Sequence, residues 1–473
     1  MSRARPEFWI DVGGTFTDCI MRAPDGSIRT HKLLSSGVYK GRAGPGSSRE
    51  RIVDHRHCGA GAGFFDGHTI EVGGISRKVG RFVNDEGAFE LAESLDIAPA
   101  ADAPFEISSG EEAPITGIRR LLGLRLNDAI GPLSVRLGTT RGTNALLERR
   151  GAATALVTTA GFADVLRIGY QDRPALFELD IHKPVDLYQT VIEIDERVDH
   201  EGHVLTPLDG GRVREQLAPL LSAGITSLAV CLLNAYRNPD HERAIEWIAR
   251  GLGFAHVSLS IDVSPLQRIV TRGDTTVVDA YITPIIRDYV DAIRAKIPQA
   301  TIKLMTSAGG LVDARAFTGK DSILSGPAGG VVACARVSQA AGFDKAIGFD
   351  MGGTSTDVSR FDGEFERRYE MRLQDPGSRT GVRIVAPMLA IETVAAGGGS
   401  ICRFDGVKPA VGPRSAGAEP GPACYGRGGP LCLTDVNVFL GRVRADHFAF
   451  ALELSAVRDR LDALIDEIRA ATG

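Results

Sequence analysis

Two eight-residue segments combine carboxylates, paired glycines and hydroxyl side chains in the same order. "DVGGTFTD" occupies residues 11–18 and "DMGGTSTD" occupies residues 350–357, and six of the eight positions are identical. Glycine lets backbone N–H groups approach an anion closely, and successive N–H groups form a concave site for phosphate oxygens. A carboxylate is tolerated beside phosphates when a cation lies between them, and Mg²⁺ contacts both. The repeat therefore predicts two phosphate-binding turns that hold a polyphosphate with Mg²⁺.

The predicted roles divide between the aspartates and the turn residues. Asp11 and Asp350 are assigned to Mg²⁺ and to positioning of water. The phosphate-binding residues are Gly13, Gly14, Thr15 and Thr17 in the first copy, and Gly352, Gly353, Thr354, Ser355 and Thr356 in the second. A single G-G-T after a strand is simply a tight hairpin, but two copies with flanking aspartates favour phosphate binding. The pattern G-x-x-x-x-G-K-[ST] is absent from the sequence, so a P-loop does not explain the repeat.

A third glycine-rich segment follows the second copy. "IETVAAGGGSI" (391–401) is an apolar run that contains Gly397, Gly398 and Gly399. Taken alone, these glycines indicate a turn. A hairpin repeated in two lobes and followed by a glycine-rich loop at the adenosine is similar to the actin, Hsp70 and sugar-kinase superfamily. The resemblance implies that the ligand is ATP.

Three further residues are candidates for the chemistry. Thr139, Thr140 and Asn144 lie where "GTTRGTNALLERR" passes from a strand through a turn into a helix. A helix N-terminus favours an oxyanion or a substrate carboxylate, so these residues are predicted to be catalytic. Capping of the helix is an equally good explanation of the same residue types, and both remain open.

Two other groups of reactive side chains are expected to be inert. The segment "DHRHC" (54–58) and a nearby histidine offer possible metal ligands, but such a cluster in a glycine-rich loop is more often solvated; these residues are His55, His57, Cys58 and His68. Cys424 in "GPACYG" has no histidine close by in the sequence, so we expect a packed thiol and not a nucleophile.

The pattern of elements that must position these residues is α/β. "EFWIDVGG" and "DCIMRAPDG" alternate like the arms of a hairpin. Beyond residue 207, apolar strands alternate with amphipathic helices, which is typical of a mixed or parallel sheet covered by helices. Residues from about 36 to 110 are rich in Gly, Ser and His and are interpreted as an irregular insertion.

Composition bounds the class of protein. The 473 residues suffice for two or three domains, and 43% hydrophobic and 24% charged residues are ordinary for a globular protein. A net charge of −5 argues against a nucleic-acid partner. No run approaches the roughly 20 apolar residues of a membrane helix, and no signal peptide is recognised. Seven scattered cysteines are typical of reduced thiols, so a cytoplasmic location is expected.

A set of motifs along the chain resembles the hydantoinase A/5-oxoprolinase family. They run in that family's order over about residues 8–443: "DVGGTFTD", "GTTRGTNALLERRGA", "TSAGG", "SGPAGGVVACA", "GFDMGGTSTDVS", "TVAAGGGSI" and "VGPRSAGAEPGPACYGRGGPLCLTDVNVFLGR". The resemblance implies a two-lobed, actin-like ATPase (ribonuclease H-like) fold. It also implies an N-terminal hydantoinase A domain over 8–188 and a core hydantoinase A domain over 207–473 that ends earlier than in other members.

The resemblance also implies a function and a partner. The expected reaction is ATP-dependent ring opening of a cyclic amide such as 5-oxoproline or a hydantoin, in an oligomer with a hydantoinase B-like subunit or domain. Two alternatives remain: the ATP-binding subunit of an acetone or acetophenone carboxylase, and a small-molecule kinase. Arg141 and Gly142 depart from the small apolar residues of many relatives, which leaves the substrate contacts of that loop open.

Overall fold

The computed structural model contains 25 strands and ten α-helices among its described residues. It describes residues 5–472 except positions 15, 172, 174–176, 178, 181–182, 184, 375–380, 418–419, 446–447 and 449–451. Thr15, a predicted phosphate-binding residue, therefore lies outside the described residues. Within the described part, no helix is long and apolar enough to cross a bilayer.

The strands in chain order are β1 Glu7–Val12, β2 Phe16–Arg22, β3 Ile28–Leu34, β4 Val38–Arg42, β5 Arg51–Val53, β6 Thr69–Val72, β7 Ile75–Val83, β8 Ala88–Leu91, β9 Pro104–Ser108, β10 Ser134–Thr139, β11 Thr154–Thr159, β12 Thr190–Ile194, β13 Arg197–Val198, β14 Val204–Thr206, β15 Ser227–Cys231, β16 His256–Leu259, β17 Thr301–Met305, β18 Leu311–Asp313, β19 Lys345–Met351, β20 Thr356–Asp362, β21 Arg367–Gln374, β22 Gly381–Leu389, β23 Glu392–Val394, β24 Ser400–Phe404 and β25 Pro409–Ser415.

The helices are α1 Ala113–Leu122, α2 Arg141–Leu147, α3 Val165–Ile168, α4 Gly210–Ser222, α5 Asp240–Leu252, α6 Ser260–Val263, α7 Ile269–Lys296, α8 Ser325–Ala340, α9 Leu433–Phe439 and α10 Leu454–Thr472. The chain forms two compact units. Unit 1 comprises residues 1–329 and 367–388, and unit 2 comprises residues 330–366 and 389–473. Each unit contains one copy of the repeated motif.

The central sheet of unit 1 is mixed, with strand order β18-β17-β10-β1-β2-β3. The strand β1 pairs antiparallel with β2 and parallel with β10, so the first motif forms the expected hairpin. Alternate residues of β1, Phe8, Ile10 and Val12, are buried in the core. This alternation places the side chain of Asp11 on the opposite face of the strand.

A second sheet of unit 1 is entirely parallel, with strand order β12-β11-β15-β16. Its central strands, β11 and β15, are buried throughout, as expected for strands covered on both faces. The helices α4 and α5 pack with it, and α7 contacts β11, β15 and β16. The alternation predicted beyond residue 207 is therefore confirmed.

The predicted insertion is more regular than its sequence suggests. Its strands form a six-stranded sheet with order β4-β9-β6-β7-β8-β5. An aromatic core holds it together and includes Phe64, Phe65, Phe82, Phe89 and Phe105. The insertion is thus a small β-structure with its own core and not an irregular segment.

Unit 2 contains the second hairpin. The strand β19 pairs antiparallel with β20, which pairs with β23 in a three-stranded sheet. A separate hairpin joins β24 to β25, and α9 and α10 contact each other and β24. The prediction of one hairpin in each part of an α/β fold is confirmed.

Candidate active site

The first hairpin places two aspartates opposite each other. Asp11 on β1 is paired with Asp18 on β2 in the register. The turn closes with a hydrogen bond from Gly13 N to Phe16 O of 3.0 Å. Asp18 forms a 2.6 Å ion pair with Lys32 on the neighbouring strand. The second aspartate of the motif therefore has a structural partner within the sheet.

The second hairpin repeats this arrangement within unit 2. Asp350 is paired with Asp357, and Gly352 N donates to Ser355 O over 2.9 Å. Asp357 accepts a 2.7 Å hydrogen bond from Thr393 on β23. The two copies thus share register, turn hydrogen bond and an engaged second aspartate, so the sequence repeat is also a structural repeat.

The threonine before the last aspartate of each copy points inward. Thr17 is fully buried and lies 3.0 Å from the hydroxyl of Ser35, which donates a 2.8 Å hydrogen bond to Gly13 O. Thr356 is also buried and donates to Ala396 O over 2.5 Å. These hydroxyls hold the turns in shape, which differs from the phosphate contact predicted for them. Thr354, in contrast, is exposed at the tip of its hairpin.

Two glycines lie beside the carboxylate of Asp11. A Cβ atom on Gly138 would lie 3.0 Å from Asp11 Oδ1, and one on Gly326 would lie 3.7 Å from the same atom. Gly138 is the penultimate residue of β10 and pairs with Asp11 of β1, and Gly326 is in the first turn of α8. Glycines at both positions therefore leave the carboxylate room beside the strand ends.

The predicted catalytic residues Thr139, Thr140 and Asn144 come together beside this carboxylate. Thr140 Oγ1 donates to Val12 O over 3.2 Å, and Asn144 Nδ2 lies 3.8 Å from the Cβ position of Gly14. Asn144 therefore reaches the first hairpin.

Helix capping accounts for only part of this loop. Thr139 Oγ1 accepts a 3.1 Å hydrogen bond from the backbone N–H of Arg141 in the first turn of α2. Thr140 is the N-cap residue but makes no side-chain capping bond. The structure thus assigns capping to Thr139, and the catalytic role of the three residues stays a prediction.

The glycine-rich loop packs directly on the second hairpin. Gly398 N donates to Gly352 O over 2.9 Å, and Gly399 N donates to Gly353 O over 2.8 Å. A Cβ atom on Gly397 would lie 2.6 Å from Gly352 O, closer than real Cβ atoms come. The glycine-rich loop, which follows the second hairpin in the sequence, is therefore also in direct contact with it within unit 2.

A cavity of about 330 Å³ lies beside these glycines. Gly352, Gly353, Gly398 and Gly399 form one side of it, and the remaining lining residues are Met351, Gly417, Pro422, Tyr425, Thr434, Asn437 and Val443. Small-molecule sites commonly measure roughly 300–1,000 Å³. The cavity is therefore large enough for a small ligand, with glycine backbone on one side and a tyrosine and an asparagine on the other.

A buried carboxylate fixes the far wall of this cavity. Asp435 on α9 is fully buried and accepts hydrogen bonds from the backbone N–H groups of Ala423, Cys424 and Cys432 at 3.0, 2.8 and 2.7 Å. Thr434, one residue earlier, donates through Oγ1 to Gly398 O over 2.8 Å. The start of α9 thus connects the "GPACYG" loop to the glycine-rich loop.

The side chains expected to be inert are packed or exposed, and two of them differ from the expectation. Burial raises the pKa of the Cys424 thiol to about 12, which confirms a packed thiol. His57 and His68 are not solvated as expected, because both are packed among the phenylalanines of the insertion core. All seven cysteines are unpaired.

Several neighbours of the site did not emerge from the sequence. Ser325 accepts a hydrogen bond from Thr139 N, and Ser35 holds the first turn. Ser325 and Gly326 belong to "SGPAGG" and Asn437 belongs to the long C-terminal motif, so those motifs contained the signal. Ser35 has no such signal.

Two family models match the chain. The hydantoinase/oxoprolinase model covers residues 272–471, and the hydantoinase/oxoprolinase N-terminal region covers residues 7–53 and 100–253. The chain belongs to the hydantoinase/oxoprolinase family. The part that the N-terminal model omits, residues 54–99, falls within the β-insertion, which explains why the family pattern resumes only after it.

Named relatives in this family are much longer than the chain. The chain is 42% identical over 402 residues to 5-oxoprolinase 1 of Arabidopsis thaliana, covering 76% of this chain and 31% of that protein. It is 33% identical over 346 residues to caprolactamase subunit alpha of Pseudomonas jessenii, covering 70% of this chain and 48% of the relative. The chain thus spans between about a third and a half of the length of these curated relatives.

A solved structure confirms the fold. The ATP-dependent caprolactamase from Pseudomonas jessenii superposes with a TM-score of 0.64 at 26% identity, over 97% of this chain and 58% of that one. The predicted actin-like α/β fold class and the family assignment are both confirmed.

Proposed function

We propose that this chain takes part in the ATP-dependent ring opening of a cyclic amide such as 5-oxoproline or a hydantoin. The observation that supports this most strongly is the structural repeat of the Asp–Gly–Gly hairpin, one copy in each unit. The family relatives named as 5-oxoprolinase and caprolactamase point to the same class of reaction. This chain spans only part of the length of those relatives, so their class of reaction is proposed for it.

The residues present fit a nucleoside triphosphate with Mg²⁺. Glycines at the two turns let the backbone approach phosphate oxygens closely. The N–H groups of Gly13 and Gly352 close their own turns, so Gly14 and Gly353 are the turn glycines proposed to donate to phosphate. Asp11 and Asp350 supply the hard oxygen ligands that Mg²⁺ prefers. We assign the phosphates to the backbones of Gly13, Gly14, Gly352 and Gly353, with Thr354 and Ser355 as added donors. The cavity beside Gly398 and Gly399 is the proposed adenosine site.

An amide is stable because its nitrogen is a poor leaving group. When bound, ATP can transfer its γ-phosphoryl group to the amide oxygen, and ADP is released. The carbon of the phosphorylated amide is then attacked readily by water. The water oxygen then bonds to this carbon, and the C–N bond breaks with a proton passing to nitrogen, which leaves an acyl phosphate. A second water cleaves the acyl phosphate to the carboxylate and inorganic phosphate. The tasks of the protein are positioning and charge neutralisation. Thr139, Thr140 and Asn144 are proposed to hold the substrate beside Asp11.

The proposed organisation follows the motifs. We propose that residues 8–188 form the N-terminal domain and residues 207–473 the core domain. We also propose that the chain acts in the cytoplasm as part of an oligomer. A hydantoinase B-like subunit or domain is the proposed partner, and the relative named as a subunit alpha supports an assembly of more than one chain.

The test is a substrate panel with the purified chain. ADP and ring-opened product are measured with ATP and Mg²⁺ alone, with 5-oxoproline, with hydantoin, with bicarbonate plus acetone, and with glycerol as a hydroxyl acceptor. We expect ADP formation to rise with a cyclic amide and to match the opened product one for one. Stimulation only by bicarbonate and ketone would favour a carboxylase subunit instead. Stable phosphorylation of glycerol would favour a kinase.

A further inference from the structure

A second pocket lies in unit 1, lined by none of the hairpin residues. It has a volume of about 130 Å³ and lies between α3, α7, the start of β22 and the segment before β12. A cavity of roughly 150 Å³ holds one benzene ring in a protein core. This pocket therefore has the capacity for a single five- or six-membered ring.

One face of α7 forms the inner wall. Val270, Asp274 and Val277 line the pocket and are spaced by four and three residues, so they lie on the same side of the helix. Leu166 on α3 and the buried Leu187 add further apolar surface. The wall is thus apolar, with a single carboxyl group on the helix face.

The carboxyl group of Asp274 has an unusual environment. Burial raises its pKa to about 7, Arg383 opposes this, and Asp186 raises the pKa further. Within the described part of the chain, its carboxyl group has no hydrogen-bond partner. The charged and titratable groups around it are Arg149, Arg167, Tyr170, Lys183, Asp186, Tyr188, Arg372 and Arg383. Near neutral pH, Asp274 is therefore present in both protonation states.

A protonated carboxyl group matches the edge of a cyclic amide. The ring forces the amide to be cis, so its N–H and C=O lie side by side. A carboxylic acid presents a donor O–H and an acceptor C=O with the same spacing, and the pair forms two hydrogen bonds at once. We propose that this pocket is a recognition site for the ring of the substrate, separate from the loop of Thr139, Thr140 and Asn144 at which the substrate reacts, with Asp274 paired to its amide edge. The inference rests on the proposed function and names the residue that would recognise the ring.

The other charges of the pocket favour a ring that carries an anion. Four cationic side chains line it, against two carboxyl groups; the cations are Arg149, Arg167, Lys183 and Arg383. Arg383 lies 4.0 Å over the ring of Tyr170 and 3.5 Å from Glu370, which fixes its position. A cyclic amide with a carboxylate, such as 5-oxoproline, therefore suits the pocket better than an uncharged ring.

Binding is tested with 2-pyrrolidinone, 5-oxoproline and N-methyl-2-pyrrolidinone, using calorimetry or ligand-observed NMR on the purified chain. The N-methyl compound keeps the ring and C=O but lacks the N–H. We expect 2-pyrrolidinone to bind and the N-methyl compound to bind at least about tenfold more weakly. Affinity for 2-pyrrolidinone should fall about tenfold or more between about pH 6 and pH 8.5, as Asp274 ionises.

Two substitutions separate recognition from folding. Asp274→Asn keeps one donor and one acceptor, so it should bind 2-pyrrolidinone without the pH dependence. Asp274→Leu should lose binding, with thermal unfolding used to show that it is folded. Asp288→Asn, an exposed site on the same helix, is the matched control.

The outcomes also separate this inference from the proposed function. Equal binding of 2-pyrrolidinone by wild type and Asp274→Leu, or binding that does not vary with pH, would overturn the role of the pocket. If 5-oxoproline still stimulates ADP formation in Asp274→Leu, the proposed function stands and only the pocket assignment fails. Loss of both ring binding and stimulation in Asp274→Leu, with retention of both in Asp274→Asn, supports the inference.

Discussion

Gly397 shows how closely the two glycine-rich segments of unit 2 approach each other. Its Cβ position would lie 2.6 Å from both Gly352 O and Thr354 N. Gly353, in the hairpin itself, has no heavy atom within 4 Å of its Cβ position. One glycine is therefore required by the fold, whereas the other leaves open space above the turn.

This contrast gives a prediction for two alanine substitutions. Gly397→Ala must displace the second hairpin, so it should lower both the thermal stability and the affinity for ATP, the latter by about tenfold or more. Gly353→Ala should leave stability nearly unchanged but also weaken ATP binding, because a methyl group would occupy the space proposed for phosphate. Calorimetric ATP titration and thermal unfolding of both variants check this. Unchanged ATP affinity in Gly353→Ala would contradict the assignment of phosphate to that turn.

At the residue scale, the sequence identified positions but not all of their contacts. The repeat was sufficient to find Asp11, Asp350 and the turn glycines, because the same local geometry recurs with the same residues. It could not reveal that Thr17 and Thr356 point inward, since that depends on distant partners such as Ser35 and Ala396. Which face a threonine presents is decided by the sheet and not by the motif.

At the scale of elements, α9 depends on one carboxylate. Asp435 accepts three backbone hydrogen bonds that hold the loop of Ala423 and Cys424 against the start of the helix. This connection also supports Thr434, which binds the glycine-rich loop. The helix is therefore a support for the proposed adenosine site and not only a part of the core.

Removal of this carboxylate should destabilise unit 2. Asp435→Ala leaves buried N–H groups without an acceptor, so we expect a loss of about 2–4 kcal/mol in the free energy of unfolding. Asp459→Ala, at an exposed position on α10, is the control and should change it by less than about 0.5 kcal/mol. Chemical denaturation of the two variants checks the difference. Equal stability of both variants would show that Asp435 is not a support of the fold.

The insertion contains two histidines whose titration opposes folding. Burial lowers the pKa of both His57 and His68 below the ordinary value. In the unfolded chain these imidazoles take up protons below about pH 6.5, whereas the buried ones stay neutral. The unfolded state then binds more protons, so the stability of the insertion should fall as the pH falls below that value.

Hydrogen exchange measures this loss strand by strand. We expect protection of β6, β7 and β8 to fall between about pH 7.5 and pH 5, relative to β1, β10 and β17, which contain no histidine. In His57→Phe the fall should be smaller at the same pH, because a phenyl ring cannot take up a proton. An identical pH response in wild type and His57→Phe would argue against His57 as a source of the effect.

The elements differ in how far their sequences predicted them. The hairpins and the amphipathic helices beyond residue 207 were predicted because each has a local period. The insertion was interpreted as irregular because its strands are short, rich in glycine and paired over long distances, as β4 is with β9. Register between such strands depends on a shared aromatic core, which no local pattern reveals.

At the scale of the whole molecule, a ligand that binds only the folded chain must stabilise it. ATP with Mg²⁺ should raise the unfolding temperature, with a stabilisation of about 2.7 kcal/mol at a hundredfold excess over the dissociation constant. Removal of Mg²⁺ with EDTA should abolish most of this shift, because Asp11 and Asp350 would then face phosphates without a cation. Thermal unfolding with ATP, ATP plus Mg²⁺, and ATP plus EDTA checks it. A shift that is the same with EDTA would contradict a role for the metal.

The central claim is that the repeated hairpins serve ATP-driven opening of a cyclic amide. The most direct measurement is ADP formation by the purified chain with 5-oxoproline, in wild type, Asp350→Ala and the exposed control Asp459→Ala. We expect stimulation by 5-oxoproline in wild type and the control, and a fall of roughly 100-fold or more in Asp350→Ala. Turnover in Asp350→Ala at the wild-type rate would contradict a role of the second hairpin in this reaction.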